Sequence, residues 1–137
     1  MSELPSAGAQ APAFSLNNRD SHATSFNNDA TGPTVLFFFK RDCATCDLTA
    51  PLIERLHRAF AQTKLRVIGI SQSSPDDTAK FVDLHDLSLE IALDNELDVS
   101  ADYAFDAVPA LVLADQTRRV VASFEGFNKQ DLLDLAH

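Results

Sequence analysis

Apolar residues change their spacing several times along the chain, and each change marks an element. Turn formers at 8–13 lead into an alternation that points Phe14 and Leu16 the same way, as on one face of a strand. Residues 17–21 read as a turn and Ala23–Phe26 as a short second strand. Gly32 and Pro33 then punctuate the approach to Thr34–Phe39, whose sequence TVLFFF is apolar on both faces. Such a run predicts a central strand covered by helices on both sides. From Cys46 the period lengthens: Leu48, Leu52, Leu56 and Phe60 recur every four residues with Ile53 beside them, which predicts an amphipathic helix. Pro51 lies inside it and should kink it, because it removes one amide and crowds the preceding turn.

Residues 64–70 predict a second buried strand, with VIGI at its centre. A helix start follows at 73–77, with Asp76 and Asp77 at the positive end of the helix dipole, and this helix runs to about Leu84. Residues 89–93 read as a short extended piece and 99–103 as one or two helical turns. Pro109 precedes a strand at Ala110–Ala114, which turns at Asp115 and Gln116 into a hairpin partner at 119–124. Gly126 ends that strand, and residues 128–135 predict a last helix anchored by Leu132, Leu133 and Leu135. Buried strands separated by crossover helices, closed by a hairpin and a helix, predict an α/β fold: a three-layer α/β/α sandwich around a mixed sheet.

Composition narrows the function classes. The 137 residues fit one domain, 1–137, and 45% hydrophobic with 23% charged residues is an ordinary globular mixture. Twenty acidic side chains against eleven Lys and Arg give a net charge of -9, a field that repels phosphate backbones and anionic membranes. The first dozen residues do not read as a secretory signal, and the longest apolar run is far too short to span a bilayer. The chain thus reads as cytoplasmic, or as an exported form whose signal has been removed. With only four glycines there is no Gly-x-Gly-x-x-Gly or Walker pattern, so dinucleotide and P-loop chemistry fall away.

The two cysteines, Cys43 and Cys46, are the chemical feature. A disulfide between them closes so small a ring that it stabilises by only about 2 kcal/mol, against about 4.7 for a hundred-residue loop. Their spacing therefore needs a reason other than stapling. A buried strand delivers them to the start of a helix, where amides and dipole stabilise a thiolate at the outer cysteine. Cys43 would attack a disulfide and Cys46, one turn in, would resolve the mixed disulfide. Zinc and iron–sulfur sites use the same spacing, but a tetrahedral zinc site needs four ligands. His57 is about 16 Å along the helix from Cys46. His22, His85 and His137 lack ligand spacing and read as surface or turn residues. No metal and no cofactor is predicted within one chain, although two chains could assemble a four-thiolate site.

These residues together resemble the thioredoxin-like superfamily, in its branch of peroxiredoxin-related and TlpA/ResA-type thiol-disulfide oxidoreductases. The resemblance rests on Gly8-x-x-Ala11-Pro12-x-Phe14-x-Leu16, Cys43-x-x-Cys46 followed by Pro51, and Gly69-Ile70-Ser71 with Phe81. It extends to Val108-Pro109 and to Gly126 with Lys129 and Leu132-Leu133. It implies a thioredoxin-like fold with an N-terminal strand extension and an inserted helix. It also implies Cys43 as nucleophile, Cys46 as resolving thiol, and a cis Pro109 facing them, with the Val108 backbone open to an extended substrate.

Several positions depart from that family. Asp42 stands where a bulky residue usually precedes the first cysteine. Phe37 occupies the place of the buried thioredoxin aspartate, and Thr49 that of the glutamate in the membrane-linked branch. Both usual carboxylate helpers are gone, leaving Asp42 and Asp47 as a replacement proton relay or as plain helix-end charges. Asp42 should disfavour the Cys43 thiolate, while Lys40 and Arg41 pull the other way. Phe105, Val108 and Phe127 could rim the site as a docking surface or simply pack.

The reading that follows is a thiol-disulfide oxidoreductase, reducing rather than oxidising. Its partners would be a disulfide-containing protein or small thiol and an upstream thiol reductant, with the chain a monomer or weak dimer. A redox sensor or adaptor on the same fold is the alternative. A thiol peroxidase is a lesser one, because the Pro-x-x-x-Thr-x-x-Cys arrangement fails in both registers. Leu36 and Lys40 stand in those places counted from Cys43, Phe39 and Cys43 counted from Cys46.

Overall fold

A computed structural model describes residues 4–27 and 31–126. Phe127, His137 and the helix expected at 128–135 lie outside the described residues. A hairpin of β1 (Phe14–Asn17) and β2 (Ala23–Phe26) comes first, followed by β3 (Thr34–Phe39) and α1 (Ala44–Ala59). Next are β4 (Arg66–Ser71), α2 (Pro75–His85), β5 (Glu90–Leu93) and α3 (Asp98–Tyr103), then the strands β6 (Ala110–Ala114) and β7 (Val120–Glu125). The main sheet has the order β5-β4-β3-β6-β7. β3 lies at its centre, parallel to β4 and antiparallel to β6.

Strand alternation sorts the apolar residues into two cores. Val35, Phe37 and Phe39 pack with Ala50, Ile53 and Leu56 of α1 and with Phe81 and Val82 of α2. Leu36 and Phe38 point the other way, toward Phe14 and Phe26 of the hairpin and Val99 and Tyr103 of α3. All six residues of β3 are buried, so the expectation of a strand covered on both faces holds. The central sheet with helices is the predicted α/β class, and the N-terminal hairpin forms a separate two-stranded sheet.

The predicted apolar stripe of α1 is corrected by the structure. Leu48 is 59% exposed, and the buried face runs instead through Cys46, Thr49, Ala50, Ile53 and Leu56. A strict four-residue repeat overshoots a 3.6-residue turn, so a stripe that is buried at Leu56 has rotated into solvent at Leu48. The helix continues through Pro51 to Ala59.

Glu54, on the same helix, is buried although charged. Its carboxylate accepts hydrogen bonds from the Ser88 amide (2.8 Å) and hydroxyl (2.6 Å), the Leu89 amide (3.2 Å) and Arg58 Nε (2.5 Å). It thereby ties α1 to the turn between α2 and β5. Burial raises its pKa, but these donors outweigh burial and hold it below the ordinary carboxylate value. A carboxylate with a lowered folded pKa contributes stability above its unfolded value of about 4.3, and loses it as the pH falls. Glu54→Gln is therefore expected to cost about 1–3 kcal/mol at pH 7. In urea unfolding at a series of pH values, that difference should shrink below about pH 4.

Candidate active site

β3 ends at Phe39, and a three-residue turn carries the chain to the cysteines. The Arg41 amide donates to Ser73 Oγ (2.9 Å) and its guanidinium pairs with Asp77 (2.7 Å), which ties the turn to the start of α2. Asp42 has φ +63°, a left-handed conformation that Asp tolerates better than most side chains. Cys43 then returns to extended backbone as the N-cap of α1. Its sulfur takes the place of the usual capping oxygen, accepting from the Cys46 amide at 3.2 Å. Thr45 Oγ1 lies 3.4 Å from the same sulfur, and the thiol reaches the Val108 carbonyl at 3.8 Å.

The two thiols differ sharply in setting. Partial burial pushes the Cys43 thiol up, but the hydrogen bonds from Cys46 and Thr45, together with the Lys40 charge, outweigh it and leave its pKa lowered. Cys46 is fully buried, and burial raises its pKa strongly; the hydrogen bond with Cys43 and the charges of Cys43 and Asp47 add to the rise. Both cysteines are free thiols. The arrangement thus pairs an accessible, activated sulfur with a protected one a single turn away.

Opposite the helix start, the Val108–Pro109 peptide bond is cis and Pro109 is buried. An open cavity of about 500 Å³ lies against Cys43, its wall including Lys40, Gln72, Leu97, Phe105 and Val108. Phe105 is fixed by its ring contact with Phe38 (4.8 Å between centroids). A second cavity of about 290 Å³ lies on the other side of the turn, against Arg41, Asp42, Asp47 and Lys80. The structure therefore gathers Lys40, Cys43, Val108 and Phe105 on one side and Arg41, Asp42 and Asp47 on the other.

Asp42 is exposed, and Lys40 acts on Cys43 in the expected direction, favouring its thiolate. Asp47 acts on Cys46, where its charge opposes ionisation. His85 is not the surface or turn residue its spacing suggested. It lies on α2 with only 11% of its side chain exposed, 2.9 Å from the Asp47 carboxylate and with its ring tilted against that of Phe81. Its position four residues after Phe81, on the buried face of α2, was the available signal; the Asp47 contact is tertiary and has no local signature. His22 is exposed beside the first hairpin turn, as expected. At the places of the missing carboxylates, Phe37 stacks on Phe39, and the Thr49 hydroxyl donates to the Thr45 carbonyl (2.7 Å). Among the described residues no group of three or more His, Cys, Asp or Glu is placed to hold a metal ion, and no helix is long and apolar enough to cross a membrane.

Comparison with known proteins adds the family. The model of the AhpC/TSA family matches residues 7–123. The chain belongs to the AhpC/TSA family. Within the curated proteins it is 32% identical over 114 residues to the thioredoxin-like protein YneN of Bacillus subtilis (strain 168), covering 80% of this chain and 65% of that protein. It is 28% identical over 111 residues to the methylamine utilization protein MauD of Paracoccus versutus, covering 81% of this chain and 54% of that one. The chain thus spans between about half and just under two thirds of these relatives. A putative thiol:disulfide interchange protein DsbE from Chlorobium tepidum has the same fold, with a TM-score of 0.87 at 19% identity over 94% of this chain and 92% of that one. This AhpC/TSA member therefore has the thioredoxin-like architecture that its cysteine motif and Val108-Pro109 resemble.

The contrast between the thiols is directly measurable. Alkylation by iodoacetamide, followed by mass spectrometry across a pH series, should modify Cys43 with a midpoint lower than that of an ordinary exposed thiol measured alongside it. Cys46 should stay unmodified in the folded protein throughout that range. Equal reactivity would contradict the difference in burial.

Proposed function

We propose that this chain is a thiol-disulfide oxidoreductase that reduces disulfides of polypeptides or small thiols. The observation that carries the reading is the Cys43 sulfur at the N-cap of α1, activated by hydrogen bonds and facing an open cavity, with a buried thiol behind it.

The Cys43 thiolate attacks one sulfur of the substrate disulfide. A Cys43–substrate S–S bond forms as the substrate S–S bond breaks, and the departing thiolate takes a proton. Cys46 then loses its proton and attacks the Cys43 sulfur, releasing the second substrate thiol and leaving a Cys43–Cys46 disulfide. Two electrons have passed to the substrate, and an upstream dithiol must return them.

The timing follows from what holds the Cys46 proton. After burial, its raised pKa comes from the hydrogen bond with Cys43 and the charge on Cys43. Both disappear once Cys43 is tied up in a mixed disulfide. Cys46 is then easier to deprotonate at the step that needs its thiolate. No carboxylate has to be buried beside it for this, which accommodates Phe37 and Thr49 at the helper positions.

The reductive direction, and with it a cytoplasmic location, belongs to the same proposal. A redox sensor would show the chemistry without turnover. The test is the rate at which the protein reduces insulin with dithiothreitol as donor. The native chain should accelerate it well beyond dithiothreitol alone, and Cys43→Ser should return it to the donor-only rate. Cys46→Ser should accumulate a mixed disulfide at Cys43, seen as added mass. A native chain that forms its disulfide stoichiometrically but gives no acceleration would favour the sensor reading.

A further inference from the structure

Leu97 occupies a place where the fold alone does not call for leucine. It is the N-cap of α3 at φ 64° and ψ 19°, a left-handed conformation that favours Gly or Asn, and it makes no side-chain capping bond. The cap is supplied by Asp94, whose carboxylate accepts from the Val99 amide (3.1 Å), the Ser100 amide (2.8 Å) and the Ser100 hydroxyl (2.7 Å). The Leu97 side chain is 46% exposed and belongs to neither core. It lines the Cys43 cavity, together with Phe105 and Val108. An apolar side chain on strained backbone, outside the core and beside a reactive sulfur, points to a role in what the site receives.

We propose that Leu97 is a specificity-determining residue, which together with Phe105 and Val108 receives an apolar side chain flanking the cysteine of a polypeptide disulfide. The inference rests on the oxidoreductase reading and deepens it. Cys43 lines the same cavity, so whatever enters is continuous with the segment whose sulfur is attacked. Extended chain advances about 3.3 Å per residue. Because Leu97 and Cys43 line one cavity, the side chains nearest the substrate cysteine are the ones placed to meet this wall. The cavity's volume of about 500 Å³ accommodates such side chains. Gln72 donates to Ser100 Oγ (3.1 Å), fixing the polar floor and leaving the Leu97 side as the apolar contact.

The test uses the full chain and three disulfides: a peptide with leucines within two positions of its cysteines, the same peptide with serines there, and bis(2-hydroxyethyl) disulfide, which carries no side chain flanking its sulfurs. The native protein should reduce the leucine peptide with a KM about tenfold lower than the serine peptide. Leu97→Asn should abolish that difference with kcat unchanged, the signature of lost uniform binding. It should also leave bis(2-hydroxyethyl) disulfide turnover as it was and the thermal midpoint equal or higher, because Asn relieves the backbone. Leu97→Met should retain the preference. Equal KM values for the two peptides in the native protein, or a preference that survives in Leu97→Asn, would overturn the proposal alone. So would a Leu97→Asn variant slowed equally on all three disulfides, which would mark Leu97 as structural. A native protein unable to reduce bis(2-hydroxyethyl) disulfide would overturn the oxidoreductase reading and this inference with it.

Discussion

A helix leaves the amides of its first turn without partners inside the helix, and here a sulfur supplies the missing acceptor. Cys43 caps α1 through the Cys46 amide. Its reactivity depends on that bond, because a hydrogen bond that completes a helix start also stabilises negative charge on the acceptor. The geometry is held from below by β3, bonded to β4 on one side and β6 on the other. It is held from the side by Arg41, which joins the turn to Ser73 and Asp77. The sulfur is thereby fixed at the exposed end of a fully buried strand.

The same placement separates the two thiols by environment. One turn deeper, Cys46 belongs to the core formed by Phe37, Phe39, Ala50 and Ile53. Aromatic contacts continue from Phe39 to Phe81 (4.5 Å) and from Phe81 to His85 (4.6 Å), ending at the His85–Asp47 pair. Polar groups at this end of the molecule thus lie at the margin of an apolar floor. Across the cavity, Val108 and Phe105 pack against the cores, while Leu97 stands outside them. The sulfur is tied by hydrogen bonds where the chemistry occurs, and the opening is apolar on one wall.

Much of this was legible in the sequence. A continuous apolar run as short as TVLFFF, entered through Gly32 and Pro33, fits a strand covered on both faces, and Pro109 before an apolar run marks the start of β6 at Ala110. Cysteines three apart at a helix start reveal their own relation, because one helical turn brings them together. What stayed hidden was decided by tertiary partners. The burial of Glu54 rests on Ser88 and Leu89, which arrive from 34 and 35 residues away and leave no local signature. His85 reads as surface until Asp47 meets it from 38 residues away. The Leu48 stripe misled because leucine spacing alone does not say at which turn the helix face meets the core. Leucine at position 97 gives no sign of its left-handed backbone, since that conformation ordinarily takes Gly or Asn.

The central claim is that Cys43 and Cys46 form a reversible redox pair whose dithiol state is a reductant. Its most direct test is the equilibrium potential of the pair against glutathione, read by alkylating free thiols and weighing the products. The account predicts a single intramolecular disulfide with a potential near or below about -250 mV. A potential above about -150 mV, or a stable glutathione adduct at Cys43 with no Cys43–Cys46 bond, would contradict it.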